Sequence, residues 1–316
     1  MAKGRKPRSL RLNVYRSRGP EPPRLPSGEL LLEYFSDHQL VAWRTRGEKI
    51  QKYHYLWYFE LESQRASTQP KILEALSTVP GISIDLASWG RAVAYKYSAT
   101  PLSCVGSLKW VGGRFNYGID VDSTRFSPFP ALYLAEDIET GLREMQGLTR
   151  ETTRAGLTAA ELNLFSKNGV AWIAVSGKVS NVYDLTHPEG LSGLVQVLAK
   201  FKLSKRVRDA ENRLRANPLK LVRTAGELFQ SIMTESWREY PTLVSTPSNS
   251  QLLGHLLSLA GFEGVLYSST RTGKKNLALF TRQFENSSSI VRAMAPPAAA
   301  TQCELSSSTY RDLERP

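Results

Sequence analysis

Apolar positions along this chain come in short runs, and the spacing within them switches between two and about 3.6 residues. In "GVLYSSTRTGKKNLALF" (264–280) two apolar runs flank Thr272, Gly273 and Lys274, which predicts a β-hairpin. "ALYLA" (131–135) predicts a compact strand. Asp137 then stands where it can cap a helix through "IETGLREMQG", with Gly147 as its stop. "VAWIAVSGKVSNVYDL" (170–185) predicts strand segments, and "YLWYFELE" (55–62), made largely of β-formers, predicts another strand. Helical spacing marks "PKILEALSTV" (70–79), with Pro70 at its start and Ile72, Leu73 and Leu76 on one face. It also marks 190–201, 221–237 and 249–262, the last capped by Asn249 or Ser250. Short strands interleaved with helices predict an α+β class.

The pattern fades at both ends. Residues 1–27 are rich in Arg and Pro, and 286–316 are dominated by Ser, Ala and Pro, so both are expected to be disordered tails. No repeat or linker interrupts the rest, and 28–285 read as a single domain. The chain has 316 residues, 41% of them apolar, enough for a sizeable core. No apolar run approaches the roughly 18 residues of a spanning helix, and the N-terminus lacks the apolar stretch of a secretory signal. The cysteines are Cys104 and Cys303 alone, the second in an expected tail, so a reducing, cytoplasmic setting is expected. Net charge is +12, and Lys3, Arg5, Lys6, Arg8, Arg11, Arg16, Arg18 and Arg24 face only Glu21 at the N-terminus. A nucleic-acid-binding arm and a solvated tail both fit that excess. With no reader motif present, direct nucleic-acid binding is not expected, and neither is a membrane.

Standard nucleotide and metal signatures are missing. "TGKKN" lacks the phosphate-loop pattern, because Ser268 stands where Gly is required and Lys275 where Ser or Thr is required. His38, His54, His187 and His255 show no metal-ligand spacing with each other or with the cysteines. No metal and no recycled cofactor are expected.

What remains are Arg114 and Asn116 in "GGRFNYG" (112–118), Tyr133 in its strand, Glu144 on the helix after Asp137, and Ser269 and Asn276 about the hairpin turn. Each has a plainer reading: an exposed loop arginine, a solvated helix glutamate, a core tyrosine, a turn serine. Spacing alone does not bring them together.

In order along the chain, "GGRFN", "FPALYLAEDIETGLREM", "NVYDLTHPEGL", "GLSGLVQVL" and "AGFEGVLYSSTRTGKKNLALF" resemble the RES family, named for its Arg, Glu and Ser. The resemblance runs from about residue 110 to 280. It places the family arginine on Arg114, its tyrosine on Tyr133, its glutamate on Glu144 and its serine on Ser269, with Asn276 opening the "NLALF" strand. Gly141 departs from the pattern, standing where many members carry alanine, and the extension over 28–109 is not covered by these motifs.

The resemblance implies a fold like that of ADP-ribosyltransferases, with mixed or antiparallel sheets and flanking helices. It further implies an enzyme that consumes NAD⁺ as substrate by splitting the nicotinamide–ribose bond, acting as the toxin of a toxin–antitoxin pair with a helix-turn-helix antitoxin. Transfer of ADP-ribose to a macromolecule is the alternative. On this reading Arg114, Glu144 and Ser269 are catalytic, and Arg114, Tyr133, Asn116 and Asn276 bind substrate. An arginine fork suits a pyrophosphate. A carboxylate suits the oxocarbenium-like sugar formed when the N-glycosidic bond breaks, and a tyrosine ring can stack on nicotinamide.

Overall fold

The computed structural model describes residues 37–122, 124–148, 156–158, 169–214 and 220–315. The chain divides into two compact units, Met1–Lys49 and Ile50–Pro316. Of the first, the described part is the opening turns of α1 (Asp37–Ser77), which carry an exposed Arg44–Glu48 pair at 3.5 Å. The basic stretch 1–27 lies outside the described residues.

The second unit is α+β, as expected. After the rest of α1 come β1 (Ile82–Asp85), β2 (Gly90–Ala94), β3 (Leu132–Ala135), α2 (Ile138–Gln146) and β4 (Val170–Leu185). Helices α3 (Ser192–Leu198), α4 (Lys205–Leu214), α5 (Ala225–Ile232), α6 (Glu239–Val244) and α7 (Asn249–Leu259) follow. The chain closes with β5 (Gly264–Ser268), β6 (Lys275–Leu279), β7 (Ile290–Ala293) and β8 (Glu304–Leu305). Among the described residues, eight strands form one mixed sheet in the order β2-β3-β6-β5-β4-β7-β8, with β1 on β4. β4 pairs β2 through its first residues and β5, in parallel, through its last. Because β2 also pairs β3, the hydrogen-bonded path returns on itself. Parallel β4 and β5 cannot be joined by a tight turn, so the helices α3 to α7 fill their long connection.

The sheet is buried on both faces, and the alternation of its strands sorts side chains between two cores. Leu132, Leu134, Leu266, Leu277 and Leu279 enter one cluster with Val175, Phe284 and Val291. Tyr133, Val265, Tyr267, Ala278 and Phe280 face the other, beneath Ile72, Leu76, Phe115 and Leu257. Period-two geometry thus puts Tyr133, Tyr267 and Asn276 on the same face of three adjacent strands.

Several expectations are corrected. The strand expected at 55–62 is helical and belongs to α1, and Pro70 lies inside that helix rather than at its start. Its aromatics supply helix-spaced anchors, Tyr53 and Tyr58 being buried, and no Gly or Pro stops the helix between Glu48 and Gln69. The preference of aromatics for strands is a packing preference, which this helix satisfies equally well. Residues beyond 285 are not a disordered tail. β7 pairs β4 from Val175↔Ala293 to Lys178↔Ile290, and Val291, Leu305 and Leu313 are fully buried. A sheet edge recruits backbone, so a few anchors suffice in a Ser- and Pro-rich stretch. Finally, the last long helix is capped by Ser248, not Asn249 or Ser250, and the helix expected over 221–237 is limited to α5, leaving Trp237 in the turn beyond it.

Cys104 and Cys303 are both free. Burial pushes the Cys104 thiol up to about 12, so it is no nucleophile. Among the described residues no helix is long and apolar enough to cross a membrane, and no group of His, Cys, Asp and Glu could hold a metal.

Candidate active site

The site is assembled where α2 docks on the β5–β6 hairpin. Asp137 caps α2 as expected, its carboxylate accepting from the Thr140 amide at 2.8 Å, and Gly147 ends it in the left-handed region at φ 71°. Thr140 and Glu144 lie four residues apart, hence on one helix face. The Thr140 hydroxyl meets that of Thr272 at 3.0 Å, the Lys275 amide donates to Glu136 at 2.8 Å, and the Lys274 ammonium lies 3.8 Å from Asp137. These contacts fix the helix against the hairpin turn and turn Glu144 toward Ser269.

Glu144 Oε1 accepts from Ser269 Oγ at 2.6 Å and from Asn276 Nδ2 at 3.0 Å. No hydrogen bond to Oε2 is made among the described residues, and the residue is half-buried. Ser269 is itself fixed, its Oγ accepting from the amides of Arg271 at 3.0 Å and Thr272 at 3.3 Å. One carboxylate oxygen is therefore pinned by two buried donors while the other is left to whatever enters.

Arg114 reaches the same place from the opposite side. Its Nη2 donates to the hydroxyl of Thr270, next in the chain to Ser269, at 3.3 Å. Its Nη1 donates to the carbonyls of Ile232 at 3.2 Å and Thr234 at 2.9 Å. The side chain is only 8% exposed, so burial presses its pKa down, while Tyr267 and Glu144 support the charge. The Tyr267 phenol, buried and near Glu144, is held well above its usual range.

The loop that carries Arg114 is a rigid cradle. Gly112 sits at φ 87°, and a Cβ there would meet the Gly118 amide at 2.5 Å. A Cβ on Gly113 would strike the Tyr133 hydroxyl at 2.3 Å. That hydroxyl accepts from the Phe115 amide at 2.9 Å and donates to Asn116 Oδ1 at 2.8 Å. Burial raises the phenol's pKa, keeping it a donor. Asn116 Oδ1 also accepts from the Gly113 amide, and its Nδ2 donates to the carbonyls of Ser107, Tyr117 and Phe129. Gln251 on α7 closes the cradle, its Nε2 donating to the carbonyls of Val111, Gly113 and Asn116 at 2.7, 3.1 and 3.0 Å.

The structure thus brings Arg114, Tyr133, Glu144, Ser269 and Asn276 into one neighbourhood, but it does not leave all of them free for a ligand. Asn116, expected to bind substrate, is fully buried with both amide atoms engaged inside the loop, so its part is to hold the loop. The Tyr133 hydroxyl has the same part, and only the half-buried ring remains toward the site. Gln251, Trp237 and Arg238 went unread in the sequence, since each reaches the site through the fold and none sits in a motif; Tyr267 and Thr270 lie inside the "VLYSSTR" stretch but carried no role there. Two cavities of about 530 and 240 Å³ lie elsewhere, lined by Glu263, Arg282 and Ser287 and by Gln302, Cys303 and Leu313 among others.

The RES domain profile matches residues 88–300, more than half of the chain, and the chain belongs to the RES domain family. The match begins at the Leu86–Trp89 turn and runs into the β7–β8 connection, so it takes in every residue of the site. Among solved structures the chain is similar to one in the M. tuberculosis MbcT–MbcA toxin–antitoxin complex, with 15% identity over 78% of this chain and 98% of that one and a TM-score of 0.40. No curated protein matches the sequence.

Proposed function

We propose that this RES domain consumes NAD⁺, cleaving the bond between ribose C1′ and the nicotinamide nitrogen. The observation that carries the reading is the half-restrained Glu144 carboxylate, one oxygen pinned by Ser269 and Asn276 and the other without a partner among the described residues. As the bond breaks, its electron pair leaves with the nicotinamide nitrogen, which becomes neutral, so the leaving group needs no acid. Positive charge grows on the ribose, and the open Glu144 oxygen stabilises it. An acceptor, water or phosphate, then attacks C1′ and surrenders its proton to the carboxylate or to solvent. Pre-positioning by Ser269 and Asn276 removes reorganisation from that step. The half-buried ring of Tyr133 supplies a flat apolar wall for nicotinamide.

Incubating the purified chain with NAD⁺ and following free nicotinamide tests the reading, and no release of nicotinamide refutes it. With NAD⁺ labelled in the adenosine half, free ADP-ribose or its phosphate identifies depletion, and label fixed on a macromolecule identifies transfer. A toxin role with an antitoxin partner belongs to the same proposal, carried by the family resemblance. It predicts that expression arrests growth, and that Glu144→Gln abolishes the arrest.

A further inference from the structure

Arg114 was the expected clamp for a diphosphate, yet much of its donor capacity is engaged by the protein itself. Its Nη1 serves two carbonyls and its Nη2 the Thr270 hydroxyl. Those carbonyls belong to Ile232 and Thr234, so what Arg114 grips is the turn leading from α5 into α6. On that turn lies Trp237, 8% exposed, and two guanidiniums stand over its indole. The Arg114 carbon ζ is 5.6 Å from the ring centroid and that of Arg238 is 4.9 Å. Arg238 is exposed, and no ion pair holds it among the described residues. It shares the Trp237 indole with Arg114, which places it beside the same site.

We infer that Arg238 is the solvent-facing anion contact of the site, taking a phosphate of a nucleoside diphosphate. Arg114 is then a positioning residue that sets Trp237 and Arg238 through the Ile232 and Thr234 carbonyls. The inference rests on the dinucleotide reading above, and it reassigns which arginine meets the phosphates. An arginine lying on an indole is pre-ordered, so less side-chain freedom is lost when it binds. Its fork remains open to solvent and matches a phosphate edge.

Calorimetric titration of the full chain with ADP reads binding without turnover. Arg238→Ala is expected to weaken ADP about tenfold, the loss of one charge-assisted hydrogen bond, and to raise KM for NAD⁺ by more than it lowers kcat. Arg238→Lys is expected to recover part of the loss. Arg114→Ala weakens ADP too, but adds little when Arg238 is already alanine, because it acts through that residue. Equal ADP affinity in wild type and Arg238→Ala, or no ADP binding by wild type, overturns the anion contact. Additive losses in the double variant overturn the positioning role. Arg238-dependent ADP binding without nicotinamide release leaves this inference standing and removes the NAD⁺ reading. Nicotinamide release with an unchanged KM in Arg238→Ala does the reverse.

Discussion

The two sides of the site treat their polar atoms differently. Around the loop of residues 112–118 the amide groups of Asn116 and Gln251 and the hydroxyl of Tyr133 are consumed inside the protein, while the buried Tyr117 hydroxyl has no hydrogen-bond partner among the described residues. Asn116 makes five contacts within hydrogen-bond range, Tyr133 gives up its hydroxyl, and Gln251 reaches across from α7 to three carbonyls. On the α2–hairpin side one carboxylate is fixed by a single oxygen and keeps the other open. The more conspicuous sequence signal, "GGRFNYG", marks the scaffold, and the quieter one, a glutamate in an ordinary-looking helix, marks the carboxylate on which the proposed chemistry rests. Glycines and a buried asparagine are demanded by backbone crowding, which leaves a dense local signature. A reacting carboxylate needs only to be aimed, and aiming leaves little trace in sequence.

That contrast is broken or sharpened first at Glu144. Glu144→Gln preserves shape and removes the charge, so nicotinamide release should fall by about 10²–10⁴ while the melting temperature stays close to that of wild type. Asn116→Ala should do the opposite. It strips partners from the Gly113 amide, the Tyr133 hydroxyl and three carbonyls, costing about 3–5 kcal/mol. Calorimetry should then show a fall of roughly 10 °C, at 2–4 °C per kcal/mol. An Asn116→Ala protein of normal stability that no longer binds NAD⁺ would make the loop a ligand contact and dissolve the distinction.

Legibility followed locality. The β3–Asp137–α2–Gly147 unit and the β5–β6 hairpin could be read directly, since cap, stop and turn each lie within a few residues of what they terminate. That Tyr133 and Asn276 share a face was not legible, because it depends on the pairing register of β3, β6 and β5. The aromatic run at 55–62 could not be read, because its β-formers pack equally well from a helix. The ordered segment after 285 could not either, because its order comes from pairing with β4 and from the Ser287 and Ser289 hydroxyls donating to buried Glu263. Trp237 and Arg238 reach the site through the grip of Arg114 on distant carbonyls.

Gly141 shows how the same residue reverses its meaning once neighbours are known. By propensity, alanine there should strengthen α2 by up to about 1 kcal/mol. In the structure a Cβ would stand 2.5 Å from the Trp172 ring, which also covers Gly90 on β2. Gly141→Ala is therefore expected to destabilise by about 1–3 kcal/mol through overpacking, and by tilting α2 to loosen Glu144 from Ser269. A denaturation midpoint equal to or above that of wild type would show that propensity wins.

The smallest expected effect belongs to the scaffold side. His255, one turn beyond Gln251 on α7, lies against the rings of Tyr117 at 5.3 Å and Phe129 at 5.6 Å. Burial lowers its pKa to about 4, the Arg65 charge pushing the same way and Glu62 opposing. The unfolded chain, with an ordinary histidine near 6.5, takes up the proton first. The stability held by neutral His255 is thus complete above about pH 6.5 and drains away as the pH falls toward 4. The loss at pH 5 should be about 1 kcal/mol after allowing for partial exposure, or roughly 2–4 °C in melting temperature. His255→Phe removes the titrating group, so the stability gap between wild type and variant should shift in the variant's favour as the pH is lowered from 7.5 to 5. A gap constant across that range would assign the acid sensitivity of the cradle to other groups.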